Sequence, residues 1–259
     1  MDVEGIESPP GCSGALVFSV ESPLPDWGVA ADLDGFSGPD GPISPGRVFV
    51  KPAFPGAEPV PFVGGVVIAT GHGPAPAIGL EMRVGLQPEW VESPGPHEGS
   101  FRLVPFVPGG GGMEGDLGTY LGPEKIVTAS GQILELTWIA SSAEGFHVRA
   151  DAGSGRFVVE PDLEIVVATN ALSWLVRVEG DGFVSDDGEI PLARLAWARL
   201  DAQGLPGPWI PLGENGLLLE GTEGRGVHPA AFRFAVDITM GDRAGDYSAS
   251  LRLVGSGGP

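Results

Sequence analysis

The chain has 259 residues, 42% of them hydrophobic, and a formal charge of −20 from 34 acidic against 14 basic side chains. The apolar share suffices for one large core or two ordinary ones. The charge argues against nucleic acid as a partner, because such binding needs a basic face that displaces counterions from phosphate, and it disfavours anionic membrane surfaces in the same way. No apolar run is long enough to span a bilayer. Glycine (43) and proline (26) punctuate short apolar runs throughout, a pattern of many strands joined by many turns.

Residues 1–14, MDVEGIESPPGCSG, read as a flexible N-terminal arm in which only Val3 and Ile6 have strand character. No basic-then-apolar segment opens the chain, so an export signal is expected to precede this numbering. Cys12 is the single cysteine, which rules out an intrachain disulfide framework. It reads as a free, inert thiol, with an intermolecular crosslink or a lipid attachment point as the sharper alternatives.

Residues 15–108 form the first of two copies of a repeated domain. A shift of 147 positions carries DWGVAADLDGF (26–36) onto SWLVRVEGDGF (173–183) without a gap. Trp27 falls on Trp174, Val29 on Val176, and Asp34-Gly35-Phe36 on Asp181-Gly182-Phe183. Asp40 and Gly41 meet Asp187 and Gly188, Ile43 meets Ile190, Arg47 meets Arg194, and Pro61 meets Pro208. Farther on the shift becomes 150, and SFRLV (100–104) matches SLRLV (250–254). Collinear matches of this kind indicate a duplication of a domain of about 95 residues. Within the first copy Leu80, Met82, Val84 and Leu86 alternate with Glu81, Arg83 and Gly85. Alternation with period two puts one side of a strand in a core and the other in water.

Residues 109–158 read as a Gly-rich linker plus an extra β-hairpin. The run Gly109–Gly112 looks like a hinge. ILELTWI (133–139) and FHVRA (146–150) look like strands around the turn SSAEG. This segment has no counterpart in the first copy, and it is a candidate for pairing with the edge of a neighbouring molecule. Residues 159–255 are the second copy. There Phe232, Phe234, Val236 and Ile238 share one face, as do Tyr247, Ala249, Leu251 and Leu253. Trp174, Val176 and Val178 are expected to face inward, Asp181-Gly182-Phe183 to turn the chain, and each repeated Trp to anchor two sheets. Residues 256–259 are a flexible tail. The fold expected is all-β: two tandem Ig-like antiparallel β-sandwiches from an internal duplication, with the extra hairpin region between them.

The sequence assigns no catalytic, cofactor-binding or metal-binding residue. His72, His97, His147 and His228 do not pair at ligand spacing, and there is no HExxH, no G-x-S-x-G elbow and no Walker loop. The acidic turns DLDGFSGPDG (32–41) and DGFVSDDGE (181–189) lack EF-hand spacing and read first as solvated turns, with calcium binding as the sharper alternative. A Lys-to-Asn amide crosslink would have to draw on Lys51, Lys125, Asn170 and Asn215.

TNALSWLVRVEGDGFVSDDGEIPLARL (169–195) resembles the first motif of WxL-type wall-associated domains, a Trp strand followed by a Gly-rich turn and an apolar strand. RAGDYSASLRLVG (243–255) resembles the closing strand of those domains and of pilin-like subunits. Trp174 is followed by Leu-Val rather than x-Leu, and Arg252-Leu253 stand where the second Trp motif of that family would be. The resemblance implies export and a structural or adhesive role outside the cell. The leading expectation is therefore a non-enzymatic, acidic cell-surface protein that self-associates through strand edges or the inter-domain hairpin as a subunit of a filament or layer. The runner-up is a carbohydrate- or surface-binding module that uses Trp90, Trp138, Trp197 and Tyr120, and the test between them is whether two of these lie coplanar on the surface. An enzyme of unrecognised type and a phage or capsid component come behind both.

Overall fold

The computed structural model describes residues 12–108, 119–120, 123–143, 145–150, 153–186, 188–213, 215–222 and 224–257. The arm before Cys12, the Gly109–Gly112 run and Gly258-Pro259 lie outside the described residues. The fold is all-β, built from antiparallel sheets, with two three-residue 3₁₀ turns as its only helical elements among the described residues. Contacts divide the described residues into two compact units, one ending at Leu134 and the other beginning at Glu135.

The first unit contains β1 (Cys12–Ser22), β2 (Asp26–Gly38), β3 (Gly41–Pro42), β4 (Val48–Lys51) and β5 (Val60–Pro61), followed by β6 (Val66–His72), β7 (Ala75–Leu86), β8 (Gly95–Val107), β9 (Thr119–Tyr120) and β10 (Lys125–Ile133). One sheet runs β1-β7-β4-β5, and a second runs β10-β8-β2-β3 with β6 beside β2 and β9 beside β8. Val48, Val50, Met82 and Leu86 of the first sheet share a buried cluster with Val29, Ala31, Ile68, Phe101 and Leu103 of the second. Two layers thus enclose one core, the arrangement that the period-two apolar pattern demands.

The second unit contains β11 (Thr137–Ser141), β12 (Gly145–Ala150), β13 (Gly155–Thr169), β14 (Trp174–Glu179), β15 (Phe183–Ser185) and β16 (Gly188–Ile190), then β17 (Leu195–Arg199), β18 (Ile210–Pro211), β19 (Leu217–Gly221), β20 (Gly226–Ile238), β21 (Gly245–Ser250) and β22 (Arg252–Gly257). A long sheet runs β16-β15-β21-β12-β13-β20-β17-β18 with β11 beside β13, and a short one runs β19-β14-β22. Its core gathers Leu163, Ile165, Phe232, Phe234 and Val236 against Trp174, Val176, Val178 and Tyr247.

The repeat extends further than the matching residues suggest. Leu16, Phe18 and Val20 of β1 pair with Met82, Leu80 and Ile78. Leu163, Ile165 and Val167 of β13 pair with Phe232, Ala230 and His228. Every one of these pairs is related by the same shifts, 147 on one strand and 150 on the other, so β1 and β13 are equivalent strands. The arm expected at 1–14 overlaps β1, because Cys12, Ser13 and Gly14 already pair in the ladder with Leu86, Gly85 and Val84. The tail expected at 256–259 overlaps β22 in the same way, since Ser256 and Gly257 pair with Leu175 and Trp174.

The segment 109–158 is divided between the units and does not stand as a hairpin of its own. β10 pairs along its whole length with β8 and completes the first unit. β11 and β12 pair with β13 and β21 and belong to the second. The reason is that both halves carry alternating apolar residues that an exposed strand edge can satisfy, and each half has such an edge nearest to it.

The repeated phrase folds in two ways. In the first unit Asp34-Gly35-Phe36 lies inside β2, which stays in one sheet beside β8 with an irregularity between Leu33 and Gly35. In the second unit the strand breaks. β14 pairs with β22, Gly182 takes a φ of +117°, and β15 resumes in the other sheet beside β21.

Candidate functional site: the seam between β1 and β10

β1 and β10 are the last strands of their two sheets. Among the described residues β1 pairs only with β7, and β10 only with β8, so each presents an unpaired edge to the other. Between them lie two grooves. The narrower, of about 310 Å³, lies over Phe36, Phe101 and Ala129. The wider, of about 850 Å³, is lined by Leu16, Phe18, Val20, Leu103, Pro105 and Val127. Val17 and Ile126 stand on the wider groove with 70% and 67% of their surfaces exposed. The two strands together carry only two charged side chains, Glu21 and Lys125. Edge strands in stable monomers are ordinarily protected by charge, proline or brevity; β1 has eleven residues, no proline and one charge.

The second unit supplies the contrast. There β12 sits beside β21 as β10 sits beside β8, and it also pairs with β13 through His147 and Glu160. β11 then covers the rest of the β13 edge, with Thr137 to Ser141 opposite Thr169 to Ile165. Ile165, Val167 and Thr169 are consequently almost fully buried, at 1%, 0% and 0% exposure. Their equivalents Phe18, Val20 and Ser22 are only half-buried. The seam of the first unit is thus a strand berth of a kind that the same fold fills elsewhere in the chain.

The polar groups hold loops. Arg47 ends the turn Pro45–Arg47 and binds Glu92, which also accepts the Glu89 backbone N–H. Its repeat equivalent Arg194 ends Leu192–Arg194 and binds Asp242 at 2.5 Å, and Asp242 accepts the Thr239 backbone N–H at 2.6 Å and its hydroxyl at 2.8 Å. The Thr239 donors and Arg194 hold the Asp242 carboxyl below the ordinary aspartate range. A carboxylate lowered in the folded state contributes stability above its unfolded pKa of about 4, and the contribution is lost as pH falls through the lowered value. Asp242→Asn is therefore expected to lower the melting temperature at pH 7, with the gap to the parent closing below about pH 3. A gap that persisted at pH 2.5 would show that the carboxylate's charge is not the source.

The first acidic stretch is not the solvated turn expected, because most of it runs within β2: Asp32 and Asp34 are engaged by Arg102 at 2.9 and 2.7 Å, and Asp40 accepts the Ser93 backbone N–H at 2.7 Å. Asp34 and Glu124 raise the Arg102 guanidinium above its ordinary value. In the second turn Asp187 lies outside the described residues, and Asp181 and Asp186 are exposed. Among the described residues no three His, Cys, Asp or Glu side chains cluster at metal-binding distance. His72 bonds Asp26, the buried His97 bonds the Gly95 carbonyl, and His228 bonds the Gly224 carbonyl, while His147 faces Glu160 across the ladder. Lys51 and Lys125 belong to the first unit, Asn170 and Asn215 to the second. Asn170 is fully buried, its side-chain carbonyl accepting the Leu136 N–H at 2.7 Å.

The aromatic residues do not converge. Trp197 packs edge-on against Phe232 at 5.5 Å, beside the core. Trp138 is 41% exposed on β11, and the ladder connects it through Ala168 to Val227. Trp197 is opposite Phe234, seven residues along β20 and hence about 23 Å away along the strand. Trp90 is half-buried in the first unit, and the Tyr120 side chain lies outside what is described. Sequence reasoning overlooked β1 as a seam strand, although the alternation Leu16, Phe18, Val20 was there to read.

No helix among the described residues is long and apolar enough to cross a membrane. No family model matches the chain, and no curated protein matches it. Among solved structures, one from work on a chaperone–tip adhesin complex in the biogenesis of CFA/I fimbriae is similar at 12% identity and a TM-score of 0.32, covering 95% of this chain and 84% of that one.

Proposed function

We propose that this chain is a non-enzymatic extracellular structural protein, a self-assembling subunit of a bacterial surface filament or layer. The observation that carries this reading is the seam of the first unit, which no strand among the described residues covers: two long, nearly uncharged edges flank a groove whose counterpart within the second unit is filled by β11. Strand addition at such an edge supplies backbone hydrogen bonds for affinity and alternate side-chain pockets for specificity. The acidity suits a protein that stays soluble until edges meet. A glycan platform is less well supported, because Trp138 and Trp197 stand far apart and Trp197 is half-buried against Phe232. Light scattering after size exclusion, with negative-stain microscopy of the same fractions, tests the reading. Concentration-dependent assemblies are expected; an unchanging monomer from micromolar to millimolar concentration would end it, and a glycan screen would then come first.

A further inference from the structure

We infer that the occupant of the seam is the β1 strand of a second copy, paired antiparallel to the first about a two-fold axis through Phe18. This rests on the assembly role proposed above and adds the edge, the register and the symmetry. Three observations lead to it. The part of β1 that lines the wider groove runs from Leu16 to Glu21, and Phe18 lies near its middle. About Phe18 the strand is self-complementary: Leu16 comes opposite Val20 of the second copy, Val17 opposite its Ser19, and Glu21 opposite its Ala15. Residues directly opposite in an antiparallel pair point to the same face. All three half-buried apolar side chains therefore gain a cover from the same three residues of the second copy, while Val17 gains Ser19 of the second copy as a neighbour on the other face. No like charges meet in this register.

Charge permits a second copy at this edge. Two molecules of net charge −20 repel over most of their surfaces. The β1 edge, with a single carboxylate in eleven residues, adds little to that repulsion. The equivalent edge of the second unit demonstrates that the fold accepts a strand there: β11 lies antiparallel to 165–169, the counterpart of 18–22. A two-fold contact of this kind is isologous and closes after two copies, so it produces a pair from which any larger array must grow through other surfaces.

The test is disulfide trapping in the full-length chain with Cys12→Ser as background. Directly opposite residues in an antiparallel pair have Cα atoms about 4.5–5.5 Å apart, within disulfide reach, whereas a residue and its own copy two positions out of register are not. Val17→Cys and Ser19→Cys are both at exposed positions, so neither disturbs the core. Oxidation of the two variants mixed is expected to give the mixed disulfide dimer, and oxidation of each alone little or none. Self-dimers of each variant equal to the mixed product would overturn the register. In parallel, Val17→Lys with Ser19→Lys sets lysines opposite one another twice across the new pair and is expected to weaken pairing at least about tenfold in sedimentation equilibrium, with the melting temperature not lowered, because Val17→Lys lies opposite Glu81 of β7. Assembly as strong as the parent's in this variant would overturn the inference and leave the assembly role standing. A parent chain that is monomeric throughout would overturn both.

Discussion

Trp174→Ala is expected to destabilise the second unit by about 5 kcal/mol, and the matching Trp27→Ala to destabilise the first by only about 3 kcal/mol. Both tryptophans are buried, at 3% and 6% exposure. Both rest on a glycine of the neighbouring strand: a Cβ on Gly221 would come within 2.1 Å of the Trp174 ring, and one on Gly71 within 2.2 Å of the Trp27 ring. The difference lies around them. Trp174 belongs to the main core of its unit and stacks on His228 with ring centroids 5.0 Å apart. Trp27 packs with Ala69 and Ala75 in a small cluster separate from the main core. Loss of Trp174 therefore opens a cavity at the centre, where little can relax, whereas loss of Trp27 opens one beside small side chains. Denaturant unfolding, with hydrogen exchange to assign the affected unit, separates the two. Equal losses would mean that the surroundings do not set the cost.

The second large effect comes from the repeated Asp-Gly-Phe phrase. Gly182→Ala is expected to cost about 2–5 kcal/mol, while Gly35→Ala should change stability by less than about 1 kcal/mol. At Gly182 the backbone has a φ of +117°, and a Cβ would stand 2.6 Å from the Ile190 carbonyl oxygen. An L side chain there meets both an unfavourable dihedral and a backbone atom that cannot swing away. Gly35 lies in a strand without a positive φ, and a Cβ would meet no atom within 4 Å. Thermal denaturation of the two single variants decides it. Similar shifts would imply that the two phrases are structurally alike after all.

These contrasts mark how far the sequence could be read. The alternation at Phe232, Phe234, Val236 and Ile238 fixed a strand face, and all four are buried. The repeat alignment set Arg47 on Arg194 without indicating a role, and in the structure both clamp a loop carboxylate. The partner of β10 was not legible, because Lys125–Ile133 would suit any free edge and its choice of β8 depends on what else occupies that edge. The equivalence of β1 and β13 was hidden for a different reason. Of the positions that establish it, only Leu16 with Leu163 and Val20 with Val167 keep the same residue; Phe18 and Ile165 preserve hydrophobicity alone, which only the ladder register reveals. The seam was beyond local patterning altogether, since half-burial at Phe18 and Val20 is a property of what does not lie over them.

The division of the chain at Leu134 and Glu135 also sets an order of events during synthesis. The first unit lacks its outermost strand until residue 133 has emerged, because β10 closes it from behind. The second unit has the opposite schedule. β12 is made early, yet its partner β21 lies about a hundred residues downstream, with His147 waiting for Ser248. Long-range pairing of this kind is slow, since loop closure must precede any gain. A nascent chain therefore carries a finished first unit ahead of an unfinished second one whose strands still seek partners, and a cut after Leu134 leaves each half every strand that its described residues form.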